Sequence, residues 1–472
     1  MQIETDTIAA LATPAGGAIG VIRLSGPEAI AITQKLIVSR KSRQHPDLAS
    51  KMRYYGFLTD SDGNDIDDVL VSVFHGPHSY TGEDSTEISC HGSSFILQQA
   101  LHALINAGAR QAEPGEYTRR AYLNGKMDLS QAEAVADLVS ASNRATHKLA
   151  LSQLKGHFSS ELSLLRDQLL KMTSLLELEL DFSDHEELEF ADRTELKSLA
   201  ETIDKRITTL ARSFETGNAL KQGIPVAIIG KTNVGKSTLL NQLLHEEKAI
   251  VSDIDGTTRD VIEDTTQING ITFRFIDTAG IRKTDDKIEQ MGIERAYQKL
   301  DEATIVIWVL DAMPSNAEIE EMAEKCEGKK LVIALNKSDL AEGDKLPENS
   351  ELSPSRIQEE CSKFDMQYSI LKLSAKFGEG ISELEEKLYA AADIPEINEN
   401  SIIVTNARHY EALTKAHISI TRVIEGMEME MSGDLLAEDL NMCLEELGDI
   451  TGGTINSEER LQNIFKHFCV GK

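Results

Sequence analysis

The residues best suited to chemistry lie between positions 226 and 376. The apolar run Val226-Ala-Ile-Ile229 leads into Gly230-Lys-Thr-Asn233-Val234-Gly235-Lys236-Ser237 and then Thr238-Leu-Leu-Asn-Gln-Leu-Leu. This is the GxxxxGK[ST] pattern between a strand and a helix, a phosphate-wrapping loop. Gly230 and Gly235 let the turn close with its N–H groups pointing inward at a helix N-terminus. Lys236 can set its ammonium between β- and γ-phosphates, and Ser237 can ligate Mg²⁺. A predicted strand over 272–276 ends in Asp277-Thr278-Ala279-Gly280. There a carboxylate can meet the metal through water, and the Gly280 N–H can sense the γ-phosphate. Between these motifs lies Gly256-Thr257-Thr258-Arg259-Asp260, in which Thr258, rather than Thr257, is favoured as the second hydroxyl on Mg²⁺.

A further strand over 331–335 ends in Asn336-Lys337-Ser338-Asp339. A carboxylate at Asp339 can accept both the ring N–H and the exocyclic amine of guanine. Adenine presents an acceptor where guanine presents that N–H, so the site rejects ATP. At the last strand end, the backbone of Ser374-Ala375-Lys376 can contact the guanine carbonyl. Five motifs in this order predict a GTP-binding, GTP-cleaving domain. The position after Asp277-x-x-Gly280, where a glutamine commonly orients the attacking water, holds Ile281. Another group must do that work, and the following loop offers Asp285, Asp286, Glu289 and Glu294, with Arg259 and Arg282 as candidate cations. A carbonyl at Asn233 can hold a monovalent cation against the phosphates; an ordinary loop asparagine is the alternative, and both stand.

Four segments of different texture must position these groups. Residues 1–120 mix short apolar runs with turns and read as an α/β domain. Residues 121–216 contain few Gly or Pro. In them Leu162, Leu165, Leu169, Met172 and Leu176 step by three and four, the stripe of an amphipathic helix facing a bundle core. Residues 217–393 alternate apolar strands with helices, as a parallel sheet with crossovers requires. Residues 394–472 return to helical periodicity. The fold class expected is multidomain α/β plus α, with a Ras-like P-loop domain inserted into a helical bundle.

Composition limits the partners. The 472-residue chain has 48 basic and 78 acidic residues, a net charge of −30, which excludes bulk electrostatic binding to nucleic acid. The nearest basic cluster is Lys35, Arg40, Lys41 and Arg43. Five scattered cysteines make neither a disulfide framework nor a CxxC metal site. The N-terminus has no secretory pattern, and the longest apolar run, 303–310, is far too short to cross a bilayer, so a cytoplasmic protein with no membrane contact is expected.

The whole pattern resembles the tRNA-modification GTPase family MnmE (TrmE). The resemblance rests on ATPAGGAIGVIRLSG, SYTGEDSTEISCHG and PGEYTRRAYLNGKMDLSQAEA near the start, on GKTNVGKS, GTTRD, DTAGIR and NKSD, and on FCVGK at the end. It implies an N-terminal domain that dimerises and binds a tetrahydrofolate one-carbon carrier (5-formyl- or 5,10-methylene-tetrahydrofolate). It also implies a helical domain split in sequence, and a G domain whose K⁺-dependent dimerisation activates hydrolysis. With an FAD-containing partner, MnmG (GidA), the family modifies carbon 5 of the wobble uridine, position 34, of certain tRNAs to carboxymethylaminomethyl or aminomethyl forms.

Carried over by motif, Arg23, Glu87, Lys126 and Lys472 would contact folate, with Cys469 nearby in an open role. Asn233, Ser252, Ile254 and Thr257 would surround K⁺, and Ser237 and Thr258 would hold Mg²⁺. GTP would touch Gly230, Asn233 to Thr238, the run Ser252, Asp253, Ile254, Asp255, Gly256, Thr257, Thr258, then Asp277 to Gly280, Asn336, Lys337, Asp339 and Ser374 to Lys376. Glu289 would orient the attacking water through a second water. His75, His78, Cys90 and His91 look like metal ligands, yet this part of the family pattern holds no metal and zinc is not expected. The P-loop departs slightly, reading Lys-Thr-Asn-Val where Pro often precedes Asn and Ala often follows it. Two alternatives stand beside the enzyme: a GTP-gated scaffold without one-carbon chemistry, and a ribosome-assembly GTPase, for which no appended basic module is present.

Overall fold

A computed structural model describes residues 6–181, 193–245, 264–276, 300–341, 354–364, 367–398, 400–453, 461, 464–466, 468 and 471. The chain divides into two compact units. One comprises Met1–Ser140, Ala150–Thr208 and Glu411–Lys472; the other comprises Ala141–Leu149 and Thr209–Tyr410.

The first unit is built on a seven-stranded sheet. Its strands are β1 (Ile8–Leu11), β2 (Ile19–Ser25), β3 (Ile37–Val38), β4 (Arg53–Thr59), β5 (Asp65–Phe74), β6 (Ser85–His91) and β7 (Arg110–Gln111), in spatial order β3-β4-β5-β6-β2-β1-β7. All neighbours are antiparallel except β1 and β7. Side chains alternate across the sheet. Ile22, Leu24, Val69, Val71 and Val73 are buried in one core with Leu97, Ala100 and Leu104 of helix Ser94–Asn106. That helix packs so closely that a Cβ on Gly20 would lie 2.5 Å from Leu97. The opposite face carries Arg23, Tyr55, Leu70 and Glu87, which are partly or fully exposed. The stripe Leu162, Leu165, Leu169, Met172 and Leu176 is buried along helix His157–Asp181, as its spacing predicted. Helix Gly433–Thr451, which buries Leu436, Leu440, Leu447 and Ile450, packs against it.

The second unit holds a six-stranded sheet. Its strands are β8 (Ile224–Ile229), β9 (Asp264–Ile268), β10 (Ile271–Ile276), β11 (Ile305–Leu310), β12 (Lys330–Leu335) and β13 (Gln367–Lys372), in order β13-β12-β11-β8-β10-β9. Only β9 runs antiparallel, joined to β10 by an Asn269-Gly270 turn with both φ values positive (51° and 79°), the twist-matched hairpin geometry. Central β11, Ile-Val-Ile-Trp-Val-Leu, is buried at every position, as a parallel strand covered on both faces must be. In the described residues the Gly230–Ser237, Asn336–Asp339 and Ser374–Lys376 motifs each follow the C-terminal end of a parallel strand, where open α/β sheets bind ligands. Between helices Ile381–Ala391 and Ala407–Glu428 the described chain forms no helix, a departure from the helical texture expected from residue 394. Among the described residues no helix is long and apolar enough to cross a membrane.

Candidate nucleotide-binding site

β8 ends at Ile229, and helix Lys236–His245 begins seven residues later. The turn between them closes through three left-handed or glycine-favouring residues: Gly230 (φ 151°), Asn233 (φ 62°) and Gly235 (φ 100°). Glycine is required at two of these. A Cβ on Gly230 would lie 2.4 Å from the Val309 carbonyl oxygen, and one on Gly235 would lie 2.2 Å from the Asn336 amide nitrogen. Asparagine tolerates the left-handed region at 233 because its short polar side chain bonds locally. Its side chain is exposed, while Val234 beside it is buried.

Lys236 donates from Nζ to the carbonyl oxygens of Gly230 (2.7 Å) and Lys231 (2.6 Å). No carboxylate is among these partners. Burial lowers the pKa of its ammonium, because the charged form is poorly solvated inside the turn. A closed, glycine-lined turn with a half-desolvated ammonium at its centre and helix N–H groups at its rim fits an anionic phosphate chain.

Asn336 joins the loops after β12 and β13 to this turn. Asn336 is 5% exposed, and its Nδ2 donates to the Val234 carbonyl at 2.7 Å while its Oδ1 accepts from Ala375 N at 2.9 Å. Its own N–H donates to Leu310 O, which fixes the loop to β11. Asn336 thus links the phosphate turn, the Asn336–Asp339 loop and the Ser374–Ala375 loop. Ser374 Oγ donates to Asp339 Oδ1 at 2.7 Å, leaving the other carboxylate oxygen outside that bond. Lys337 holds a left-handed backbone (φ 65°), and Lys376 lies over the exposed Phe377 ring at 5.1 Å. Sequence reasoning placed Asn336 in the site but not as its brace; only tertiary packing reveals that role. Ser252, Asp253, Ile254, Asp255, Gly256, Thr257, Thr258, Asp277, Thr278, Ala279, Gly280 and Glu289 lie outside the described residues, as do Arg259, Arg282, Asp285, Asp286, Glu294, Cys469 and Lys472.

The second set of expected residues gathers in the first unit. Arg23 on β2 stands directly across from Glu87 on β6. Its Nε and Nη2 both donate to Glu87 Oε1, at 2.9 and 2.8 Å, and its Nη1 donates to the Gly471 carbonyl at 3.2 Å. The guanidinium also lies between the rings of Tyr80 and Tyr117, at 5.6 and 5.7 Å, within cation–π range. These two tyrosines were not singled out from sequence, and no local signal marks them. Tyr117 donates its hydroxyl to Arg23 O, and Tyr80 bonds Thr118 at 2.8 Å. Lys126 donates instead to the Pro77 carbonyl at 2.8 Å.

Beneath this cradle is a buried ion cluster. Glu116 is fully buried and pairs with Arg110 (2.5 Å) and Arg120 (3.0 Å), and Arg120 also reaches Asp6 and Glu83. Burial alone would raise the Glu116 pKa. The hydrogen bonds from Arg110, Glu113 N and Arg120 outweigh it, and the net direction is down.

Of the metal-like residues, Cys90 is buried and its thiol is pushed up to about 11 by desolvation, and His91 is engaged by Asp67 at 2.8 Å. Arg40 and Arg43 pair with Asp68 and Asp65 and lie over Tyr55 and Phe57, so two of the four residues of the basic cluster are matched by local acids.

Known proteins match the chain along its whole length. The family described as "MnmE helical domain" matches residues 129–469, and "GTP-binding protein TrmE N-terminus" matches residues 7–126. A tRNA modification GTPase MnmE of Phocaeicola vulgatus is 54% identical over 508 residues, covering 100% of both chains. Its counterpart in Bacteroides thetaiotaomicron is 54% identical over 481 residues, again with 100% of both covered. That of Flavobacterium johnsoniae is 47% identical over 479 residues, with 100% of both covered. The chain belongs to the MnmE (TrmE) family of tRNA modification GTPases.

Proposed function

We propose that this chain hydrolyses GTP to drive modification of carbon 5 of the wobble uridine (position 34) of certain tRNAs, in the cytoplasm, together with an FAD-dependent MnmG (GidA) partner. The observation that carries the reading is the Asn336 brace, which joins the Gly230–Ser237 turn to the loops that carry Asp339 and Ser374. In this reading Lys236 balances the β- and γ-phosphate charge, Asp339 selects guanine, and Glu289 orients the attacking water through a second water. Ser237 and Thr258 would hold Mg²⁺, which would neutralise phosphate charge. Asn233, Ser252, Ile254 and Thr257 would hold K⁺, which would add charge where other GTPases use an arginine. The left-handed, solvent-facing Asn233 supports that last assignment.

A tetrahydrofolate one-carbon unit would bind in the N-terminal domain, residues 1–120, at Arg23, Glu87, Lys126 and Lys472, with Cys469 close by. The support is the convergence of Arg23, Glu87, two tyrosine rings and the Gly471 carbonyl on the sheet face opposite helix Ser94–Asn106. That face also exposes Tyr55 and Leu70, apolar area suited to the homodimer through this domain. The remaining boundaries are the helical domain at 121–216 and 394–472 and the G domain at 217–393.

The test is mass spectrometry of wobble uridine in cells lacking the chain. Loss of the carbon-5 aminomethyl-type group, restored by the wild-type chain but not by Arg23→Ala, is expected. Unchanged uridine, with GTP cleavage intact, would favour the GTP-gated scaffold.

A further inference from the structure

Two ion pairs run from the nucleotide loops to a single stretch of chain, the residues that follow β11. Glu318 lies in the first turn of helix Asn316–Lys325 and forms a capping box with Ser315: its Oε2 accepts from Ser315 N (2.9 Å) and Oγ (3.0 Å). The other oxygen, Oε1, accepts from Lys231 Nζ at 2.6 Å. Lys231 is the second residue of the phosphate turn, and its carbonyl holds the Lys236 ammonium. An isolated surface pair is weak because two long side chains must be ordered at once. Here the cap has already fixed the carboxylate, so only Lys231 loses freedom. At the start of the same stretch, Asp311 Oδ2 accepts from Lys337 Nζ at 2.7 Å. Lys337 sits in the base-reading loop with a left-handed backbone that a lysine does not favour, so an external hold on it has a purpose.

We propose that Glu318 and Asp311 are positioning residues for the guanine nucleotide, Glu318 acting through Lys231 at the phosphate end and Asp311 through Lys337 at the base end. The inference rests on reading the P-loop as a GTP site. It adds that the two ends are strapped to one segment yet can be loosened separately. Glu318→Gln is a selective probe, because glutamine still serves in a capping box but carries no charge. Lys231→Met removes the other partner without touching the cap.

The experiment measures binding of fluorescent, non-hydrolysable GTP and ITP analogues to the full-length chain. Glu318→Gln and Lys231→Met should each weaken both analogues about threefold. The double variant should be no weaker than either single one, and the GTP-over-ITP preference should not move. Asp311→Asn should instead narrow that preference about threefold, since inosine lacks the exocyclic amine that Asp339 reads. Additive losses in the double variant, or an unmoved preference in Asp311→Asn, overturn the proposal while leaving the site intact. A wild-type chain that binds no GTP analogue overturns the site reading and the straps together.

Discussion

The phosphate turn of the second unit and the Arg23 cradle of the first are built in opposite ways. The turn is contiguous: eight successive residues, six between β8 and its helix and the helix's first two, carry the glycines, the lysine and the serine, and strand ends bring the Asn336–Asp339 and Ser374–Ala375 loops alongside. The cradle is assembled from distant pieces. Arg23 meets Glu87, Tyr80, Tyr117 and the carbonyl of Gly471, the last 448 positions away. Their electrostatics differ as well. Among the described residues Lys236 bonds two carbonyl oxygens, whereas Arg23 is matched by a carboxylate, with further buried ion pairs below it. Neutral acceptors leave a cation's charge available to an incoming anion. A site that balances its own charge relies on a ligand displacing or joining an existing pair.

If the cradle depends on the buried cluster and the turn does not, Glu116→Gln should strike the first unit alone. Removing one partner of a buried pair costs about 3 kcal/mol. Thermal unfolding of the full chain should therefore show the loss, while GTP affinity is retained. The pH dependence has a definite sign. The folded Glu116 and Asp6 carboxyls lie below their unfolded values, Asp6 through its bonds to Arg110 and Arg120 despite desolvation. Their contribution is thus complete above the unfolded carboxylate pKa of about 4 and is lost as pH falls through the depressed folded values. Wild-type stability should drop on acidification in that range, and Glu116→Gln should flatten the drop.

Lys236→Ala makes the complementary cut. Phosphate release should slow about a hundredfold or more, the scale for removing one preorganised charge donor, and folate binding should be untouched. A parallel fall in both would merge the two regions into one functional site. A smaller effect separates cation chemistry from plain loop geometry. Turnover in K⁺ should exceed that in Na⁺ about tenfold, because a loop fitted to the larger, less tightly hydrated ion leaves the phosphates without that charge in Na⁺, and Asn233→Ala should erase the difference. Equal rates in both salts would return Asn233 to an ordinary turn residue. The smallest effect is on stability in Arg23→Ala. The Arg23–Glu87 pair is partly exposed, so less than about 1 kcal/mol should be lost, yet calorimetry with 5-formyltetrahydrofolate should register no heat.

The contrast also explains what could be read from sequence. Strands β8, β10, β11 and β12 were visible as apolar runs, and the stripe from Leu162 to Leu176 as a helix face, because short-range periodicity records burial directly. The P-loop was legible for the same reason: its chemistry needs adjacent residues. Asn336 as a brace, Lys231 against Glu318, and Tyr80 and Tyr117 around Arg23 were not, since each joins segments far apart in the chain. Helix Glu116–Leu123 shows the same limit of local reading. Its Glu-Tyr-Thr-Arg-Arg run carries three charges, yet Glu116, Arg119 and Arg120 are all buried. Charged residues enter a core only when paired, and their partners Asp6, Glu83 and Arg110 cannot be recognised from the helix itself.

Titration calorimetry of GTP and of ATP into the full chain, with Mg²⁺ and K⁺ present, tests the central claim most directly. GTP should bind and ATP should give no heat, and Asp339→Asn should weaken GTP and admit xanthosine triphosphate. Equal heats for the two purines, or no binding of either, would contradict the account.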